Sequence, residues 1–297
     1  MKLFYNVIQQ VDLGTVQDVD FYSRQEKIIL AMVRPILFGM LVGLKHEVVK
    51  DYGTINDILL RQLARIYKDD FGACGVCFEY AVHSAIRNNN PLVMERIQYA
   101  LSLCGVTGNK TTSILLGFEK AGVLQISNEL MNILTPDSRL ITGQYGESIK
   151  IKEYINVMAD AFRNKSLRSA LPPSITGIWK ADLFVGNTDS DMWVVASVKI
   201  NPSQLQYFEE LRIGIVPAKS FQEHALFTKE GMIVCPLLYN DNFMEYFYST
   251  WRIVTQFLKY DAHLPKDRNL NYTIEMRVAK YLESMRERPV LELLIMT

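Results

Sequence analysis

The stretch KADLFVGNTDSDMWVVASVKIN, residues 180–201, contains two runs of strand-forming residues on either side of a polar tip, NTDSDM. Val, Phe, Trp and Ile favour strands, and a short polar connection between two such runs predicts an antiparallel hairpin. Charged residues nevertheless occur within both runs, at Asp182 and at Lys199. Their placement decides how the sheet is built and what it can do.

Side chains alternate between the two faces of a strand, so the hairpin separates its apolar residues from its polar ones. The other face carries Lys180 and Asp182 on the first strand, and Ser197 and Lys199 on the second. Depending on the loop length, Asp182 lies opposite Val195 or opposite Ser197, and both registers give the same division. The face predicted to be wholly apolar and buried consists of Ala181, Leu183, Val185, Val194, Ala196, Val198 and Ile200.

Composition places the chain of 297 residues among ordinary soluble globular proteins, with 49% hydrophobic and 22% charged residues. Lys plus Arg and Asp plus Glu both total 32, so the chain lacks the strong positive charge typical of many nucleic-acid-binding proteins. The first residues lack the pattern of a secretory signal, which predicts a cytoplasmic protein with reduced thiols. Arg34 and Pro35 divide the apolar stretch 28–44 into pieces too short to span a bilayer, which predicts buried helices or an oligomer contact.

The chain is predicted to begin with an N-terminal helical region over residues 1–70 and to end with a C-terminal helical segment over 261–297. Between them lies an α/β core over 71–260, with a helical insertion at about 91–172. Strands are predicted at 178–186, 192–200, 211–217 and 232–238. Helices are predicted over 55–66 behind a Thr54–Asp57 capping box, and over 75–87, 92–106, 111–126, 147–163, 202–211, 240–260 and 272–288.

An Asp near the start of one strand, followed by a Lys at the end of the next, resembles the PD-(D/E)xK nuclease superfamily, which has the restriction-endonuclease-like fold. The matching elements are Ala181–Asp182 and Ser197–Lys199. The family also carries a Glu on a helix before the sheet, and GVCFEYAVHSAIR supplies Glu79. The resemblance covers residues 72–90 and 175–240. Two departures are Ala181 in place of the proline and Ser197 in place of an acidic residue that binds metal.

The resemblance implies an α/β fold with a central restriction-endonuclease-like sheet flanked by helices. It implies a site in which Asp182, Glu79 and the backbone carbonyl of Val198 hold Mg²⁺ or Mn²⁺, which hard carboxylate oxygens suit. Lys199 would orient the attacking water and offset charge on the phosphate, so that Lys199, Asp182 and Glu79 form the catalytic set. The implied activity is hydrolysis of DNA phosphodiester bonds, in microbial or phage defence, restriction or repair. The helical portions would select the substrate or form a homodimer.

Two alternatives stay open at this point. Asp182 and Lys199 also fit a cross-strand ion pair with no role beyond the sheet, worth about 1 kcal/mol or less. Ser197 in place of a carboxylate favours a second function, a non-catalytic nucleic-acid-binding or assembly protein that retains the nuclease fold.

Other motifs have simpler interpretations. Cys74 and Cys77 form a CxxC pattern, but the preceding segment is predicted to be helical and no second close pair exists, which favours buried thiols. His83 lies one helical turn after Glu79 and is interpreted as a hydrogen-bonded core residue. Asp189 and Asp191 are interpreted as turn residues. The segment GNKTT at 108–112 lacks the full pattern of a phosphate-binding loop.

Overall fold

The computed structural model falls into two compact units that differ in secondary structure. One unit comprises Met1–Ala81 with Met244–Thr297, and the other comprises Val82–Phe243. The first is helical, and the second contains the sheet, which confirms a mixed α/β protein with a large helical part. The structure describes residues 24–69, 71–116, 131–143, 147–170, 181–206, 210–219, 226–227, 231–239, 243–264 and 274–295.

The helical unit begins with a long helix that passes through a proline. Although Pro35 was predicted to divide the stretch 28–44, helix α1 runs without interruption from Arg24 to Gly43. A proline removes one backbone hydrogen bond, and the burial of apolar side chains such as Ile36 and Met40 offsets that loss. The other helices of this unit are α2 (Lys45–Tyr52), α3 (Leu60–Ile66), the first part of α4 (Phe71–Arg87), α7 (Phe243–Lys259), α8 (Ile274–Ser284) and α9 (Val290–Ile295).

Two ion pairs with buried glutamates join helices of the helical unit, and the first of them connects its two sequence segments. Arg277 on α8 donates to Glu26 on α1 at 3.0 Å, and the Glu26 side chain is 2% exposed. Arg252 on α7 pairs with Glu275 on α8. Among the described helices, none is long and apolar enough by itself to cross a membrane, and one pair, α1 with α2, passes that test together although it is bent by 68°.

The start of helix α3 differs from the prediction. The predicted capping box at Thr54 and Asp57 does not form, and the helix begins only at Leu60. The side chain of Gln62 instead accepts a hydrogen bond from the N–H of Leu59 at 2.8 Å. Thr54 accepts from the N–H of Asn56, which is a local turn contact.

The sheet unit consists of a mixed sheet in the order β1-β4-β5-β6-β8-β7, with β2 paired to both β3 and β5. Strands β1 and β4 are antiparallel, as are β4 and β5, whereas β5, β6 and β8 are parallel. Helix α5 (Pro91–Leu103) begins at the predicted breaker, where the Asn90 side chain accepts from the N–H of Leu92. The strands are β1 (Thr111–Leu115), β2 (Arg139–Ile141), β3 (Ser148–Lys150), β4 (Leu183–Asn187), β5 (Met192–Val198), β6 (Arg212–Ala218), β7 (Leu226–Phe227) and β8 (Met232–Leu238).

The predicted helical insertion at 91–172 was wrong in part, because it contains three strands. Thr111–Leu115 forms β1, which pairs with β4, although 111–126 was predicted to be helical. Ser148–Lys150 forms β3, and helix α6 begins only at Ile155. Residues 117–126 lie outside the described residues. The β-branched residues of β1 favour a strand once β4 offers a partner.

The predicted helix over 202–211 was also wrong within its described part. Only Pro202–Gln204 forms a turn of 3₁₀ helix, and the Asn201 side chain caps it by accepting from the N–H of Ser203. Leu205 then has extended backbone angles, φ −61° and ψ 125°. This segment leads from β5 to the parallel strand β6.

The two faces of the β4–β5 hairpin are both covered, but differently. The predicted apolar face is buried from Ala181 to Val198, whereas Ile200 is half-exposed because β5 ends at Val198. Lys180 lies outside the described residues. On the opposite face, the hydrophobic core of Phe184, Trp193 and Val195 packs with residues of α6 and of the turn before it. That face is therefore polar at only one end of the hairpin.

Candidate functional site at the open end of the hairpin

The open end of the hairpin holds Asp182. The paired residues Leu183 and Ala196 continue into a register that places Asp182 opposite Ser197, the second of the two predicted registers. At this point the N–H of Asp182 donates to the carbonyl of Ala196 at 3.0 Å. The N–H of Val198 donates to the Asp182 side chain, at 2.8 Å from Oδ2. The Asp182 carboxylate thus accepts the hydrogen bond of a backbone N–H, a role that a backbone carbonyl usually has in a sheet.

Lys199 approaches the same carboxylate oxygen. Its Nζ lies 2.7 Å from Asp182 Oδ2, and the side chains of Lys199 and Asp182 are 26% and 13% exposed. Both hydrogen bonds that the Asp182 carboxylate accepts from the described part of the chain end on Oδ2. Its Oδ1 receives no hydrogen bond from these residues. The sequence prediction that the strands bring Asp182 and Lys199 together agrees with this geometry.

Ser197 contacts an arginine that the sequence analysis did not single out. Arg212 begins β6, and the parallel register pairs it with Val195 and pairs Gly214 with Ser197. Residues paired across strands share a face, so Arg212 lies on the polar face of the hairpin. Its NH1 donates to Ser197 Oγ at 3.1 Å. Both residues are buried, with exposures of 1% for Arg212 and 3% for Ser197.

The electrostatic setting of Arg212 connects it to Asp182. Burial lowers the pKa of the Arg212 guanidinium to about 10, and the negative charges of Glu210 and Asp182 act in the opposite direction. Arg212 is therefore charged at neutral pH. The signal in the sequence was an Arg at the start of an otherwise apolar run, RIGIVPA, whose face could be assigned only with the β5–β6 register known.

The other predicted site residues are placed as follows. Glu79 lies on α4, in the part of that helix assigned to the helical unit, and it is buried with 9% exposure. Val198 enters the site through its N–H, whereas the resemblance assigns its carbonyl to the metal. The contacts described above join Asp182, Lys199, Ser197 and Arg212 within the sheet unit.

His83 lies on the other side of the sheet, in agreement with a core role. Its Nδ1 is 2.8 Å from Ser113 Oγ, and Ser113 donates to the His83 carbonyl at 3.3 Å. Ser113 pairs with Val185, on the face opposite to Asp182. Burial lowers the pKa of His83 to about 3, with a further contribution from the charge of Arg87. This neutral histidine connects α4 to β1.

The predicted turn residues at the tip of the hairpin form specific contacts. Asp191 has a positive φ of 54°, and its carboxylate accepts from Ser138 and Trp193 on Oδ1 and from Thr135 on Oδ2. Partial burial by itself would raise the pKa of Asp191, but the hydrogen bonds from Ser138 and Thr135 outweigh it and lower the pKa. The tip is thereby bound to the segment before β2.

The GNKTT segment donates its amides to this tip. The N–H of Asn109 donates to Asp189 Oδ2, and the N–H of Lys110 donates to Asn187 Oδ1, both at 2.8 Å. Gly108 has φ +147°, and a Cβ there would lie 2.3 Å from Asp189 Oδ1. The backbone amides of Asn109 and Lys110 therefore bind side chains of the protein itself.

The cysteines are thiols. Cys77 is buried and donates to the carbonyl of Ile36 at 3.2 Å, and burial raises the pKa of Cys74 to about 11. Cys104 and Cys235 are also buried and unbonded to other sulfur atoms. Cys74 and Cys77 of the CxxC pattern are therefore not joined by a disulfide.

Within the part of the chain that the structure describes, no three His, Cys, Asp or Glu residues form a group that could hold a metal ion. Asp182 offers one carboxylate, and Mg²⁺ in proteins is often bound by one or two carboxylates together with the phosphates of its substrate. No family model matches the sequence, and no curated protein or solved structure shows significant similarity to it.

Proposed function

We propose that this protein is a metal-dependent nuclease that hydrolyses phosphodiester bonds of DNA at the open end of the β4–β5 hairpin. The observation that carries the proposal is the contact between Lys199 Nζ and Asp182 Oδ2 at 2.7 Å, in a carboxylate whose Oδ1 receives no hydrogen bond from the described residues. A carboxylate and an ammonium group held together at strand ends are what metal-assisted attack on a phosphate requires.

The arrangement of the strands supports the resemblance to PD-(D/E)xK nucleases on which the proposal builds. The strand that carries Asp182 and the strand that ends at Lys199 are antiparallel neighbours. After Lys199 the chain leads to another strand, β6, as the resemblance implies, although the helix that the resemblance expects between them is only a 3₁₀ turn in the described residues. We propose a restriction-endonuclease-like core on this basis.

Each residue of the site would have a distinct chemical role. Asp182 would hold Mg²⁺ or Mn²⁺ through Oδ1, with Glu79 and the Val198 carbonyl as the further ligands that the resemblance implies. The cation, when bound, would offset the negative charge of the phosphodiester. Lys199 is 26% exposed and can donate to a phosphate oxygen or to the attacking water while it remains close to Asp182.

Cleavage of supercoiled plasmid and of short DNA and RNA duplexes, with Mg²⁺ or Mn²⁺, tests the proposal directly. Asp182→Asn should lower the cleavage rate at least about 100-fold and abolish Mn²⁺ binding in a calorimetric titration. Glu79→Gln tests the second ligand by the same two measurements.

Asp137→Asn is the matched control, because it also removes a carboxylate from an Asp–Lys pair in the sheet unit. Asp137 contacts Lys150 at 3.3 Å, and its side chain is 85% exposed. The control should cleave and bind Mn²⁺ like the wild type. A wild-type protein that cleaves none of these substrates, or an Asp182→Asn variant that cleaves normally, would contradict the nuclease proposal.

A specific contact favours a second candidate function, a nucleic-acid-binding or assembly protein without catalysis. Ser197 stands where the resemblance expects an acidic ligand, and it contacts Arg212. DNA binding measured by fluorescence anisotropy, in EDTA and in Mg²⁺, separates the candidates. Binding that is equal in both, without cleavage, supports the second candidate.

A further inference from the structure

A buried arginine at the start of β6 is costly to the fold. Every residue of β6 is buried, and Arg212 is 1% exposed. Taking a charge out of water is costly, and a buried arginine needs partners that offset this cost. Ser197 is one such partner, and it lies next to the residues that bind Asp182.

The contact of Arg212 with Ser197 has a fixed direction. A guanidinium group has donors only, so Ser197 Oγ is the acceptor in the bond from Arg212 NH1 at 3.1 Å. The hydroxyl hydrogen of Ser197 then points away from Arg212. The Ser197 hydroxyl can therefore donate to an anionic oxygen, whereas a carboxylate at position 197 could only accept hydrogen bonds.

The two residues after Ser197 carry the groups that bind the Asp182 carboxylate. The N–H of Val198 and the Nζ of Lys199 donate to Asp182 Oδ2. The backbone of this strand end is bound to β6 as well, because the N–H of Lys199 donates to the carbonyl of Ile215 at 3.0 Å. Restraining the Ser197 side chain therefore restrains the strand end that orients Asp182.

Apolar side chains cover the surface of β6 beside the site. A Cβ on Gly214, the residue paired with Ser197, would lie 2.9 Å from Met232 Sδ and 3.0 Å from Leu205 Cδ1. The segment after β5 thus reaches over β6 beside the site. Such a low-dielectric surrounding strengthens the hydrogen bond from Arg212.

We infer that Arg212 is a positioning residue of this site, which holds Ser197 and thereby fixes the Val198 N–H and Lys199 around Asp182. The inference rests on the proposed function, because it assigns Arg212 a part in the same hydrolysis. Arg212 acts through Ser197 and does not touch the substrate.

The test compares Arg212→Met, Arg212→Lys and Ser197→Ala with Arg139→Met as the matched control. Arg139 also donates to a serine, Ser148 Oγ at 3.2 Å, but this contact is exposed. Three quantities are measured in the full chain: kcat and KM for DNA cleavage, the thermal midpoint, and hydrogen exchange of the Val198 amide followed by NMR.

For Arg212→Met we expect a kcat lowered 10- to 100-fold with KM changed less than about threefold, as is typical when an outer partner of a site is removed. The Val198 amide should exchange at least about tenfold faster. Arg212→Lys should recover part of kcat. The double variant with Ser197→Ala should lose no more than either single variant. The control should match the wild type in all three quantities.

The inference is overturned if Arg212→Met lowers the thermal midpoint while kcat and Val198 exchange stay unchanged, because the arginine is then structural. Losses that multiply in the double variant would also overturn it, because Arg212 would then act independently of Ser197. If the wild type does not cleave, the proposed function fails by itself, and Val198 exchange in the variants alone decides whether Arg212 positions this strand end.

Discussion

At the tip of the β4–β5 hairpin, Asp191 accepts hydrogen bonds on both carboxylate oxygens, whereas at the open end Asp182 accepts two bonds on Oδ2 alone. The donors to Asp191 are hydroxyl groups and an indole of the fold itself. The donors to Asp182 are a backbone amide and the ammonium group of Lys199. Two carboxylates of one hairpin thus have different surroundings.

The difference indicates which end is structural and which can act on a ligand. A carboxylate with every oxygen bound to the protein has its hydrogen-bonding capacity used by the fold. A carboxylate with one oxygen open can bind a cation or a donor from outside. Asp191 connects the tip to neighbouring segments, and Asp182 is the carboxylate through which the proposed site would act.

The largest effect should come from the ion pair of the open end. Lys199→Met removes the charge beside Asp182. Under the proposed nuclease function it should lower the DNA cleavage rate about 100- to 1,000-fold, because the charge that develops on the phosphate would lose its stabilising donor. Lys150→Met, in the exposed pair with Asp137, should leave the rate unchanged. Equal rates for Lys199→Met and wild type would remove the distinction between the two ends.

At the tip the expected effect is on stability. Asp191→Ala removes the acceptor for three donors and places Ala at a positive φ of 54°, and should lower the free energy of unfolding by about 3 kcal/mol in urea titrations. The cleavage rate per folded molecule should not change. A loss of rate without a loss of stability would show that the tip also belongs to the site.

Acid titration distinguishes the contribution of Asp191 at the tip to stability from that of His83 on the opposite face of the sheet. The folded-state pKa of His83 is lowered to about 3, so protons bind to His83 preferentially in the unfolded chain. Its contribution to stability is complete above pH 6.5 and should be lost as the pH falls toward 3, with a slope of at most about 1.4 kcal/mol per pH unit. His83→Asn should flatten this part of the curve measured by urea unfolding.

Asp191 should contribute in a lower pH range. Its folded-state pKa is also lowered, but for a carboxylate this means that stability is present above the unfolded pKa of about 3.9 and lost as the pH falls below it. Asp191→Asn should reduce the pH dependence below about 4 and leave the range above 4 as in the wild type. A change above pH 5 in this variant would contradict the assignment.

The smallest effect is expected for the exposed pair between Lys150 and Asp137. Their side chains are 42% and 85% exposed, and solvent screens such pairs so strongly that they contribute about 0.5 kcal/mol or less. Asp137→Asn should shift the urea midpoint within experimental error. A larger destabilisation would mean that exposed contacts near the tip hold the segment before β2.

The sequence was sufficient for the elements whose signals are local. The bounds of β8 agree with the prediction at 232–238, and helix α4 ends at Arg87, before the predicted breaker. The hairpin with Asp182 and Lys199 on one face also follows from period-two alternation. In each case the residues that decide the structure lie within a few positions of one another.

The elements that depend on distant partners could not be predicted in this way. Strand β1 pairs with β4, about seventy residues further along the chain, and its TTSIL run fits a helix equally well without that partner. Arg212 joins the site only through the register of β5 with β6, which the intervening segment sets. The contacts of Asp191 likewise come from Thr135 and Ser138, more than fifty positions away.

The pair between Glu26 and Arg277 spans 251 positions of the chain, which has a consequence for synthesis on the ribosome. At about 5 to 20 residues per second, helix α1 emerges roughly 10 to 50 seconds before the arginine that neutralises its buried glutamate. The sheet unit is completed within this interval. A nascent chain arrested once residue 243 has left the ribosome should therefore yield a protease-resistant sheet unit while α1 is still open to a chaperone.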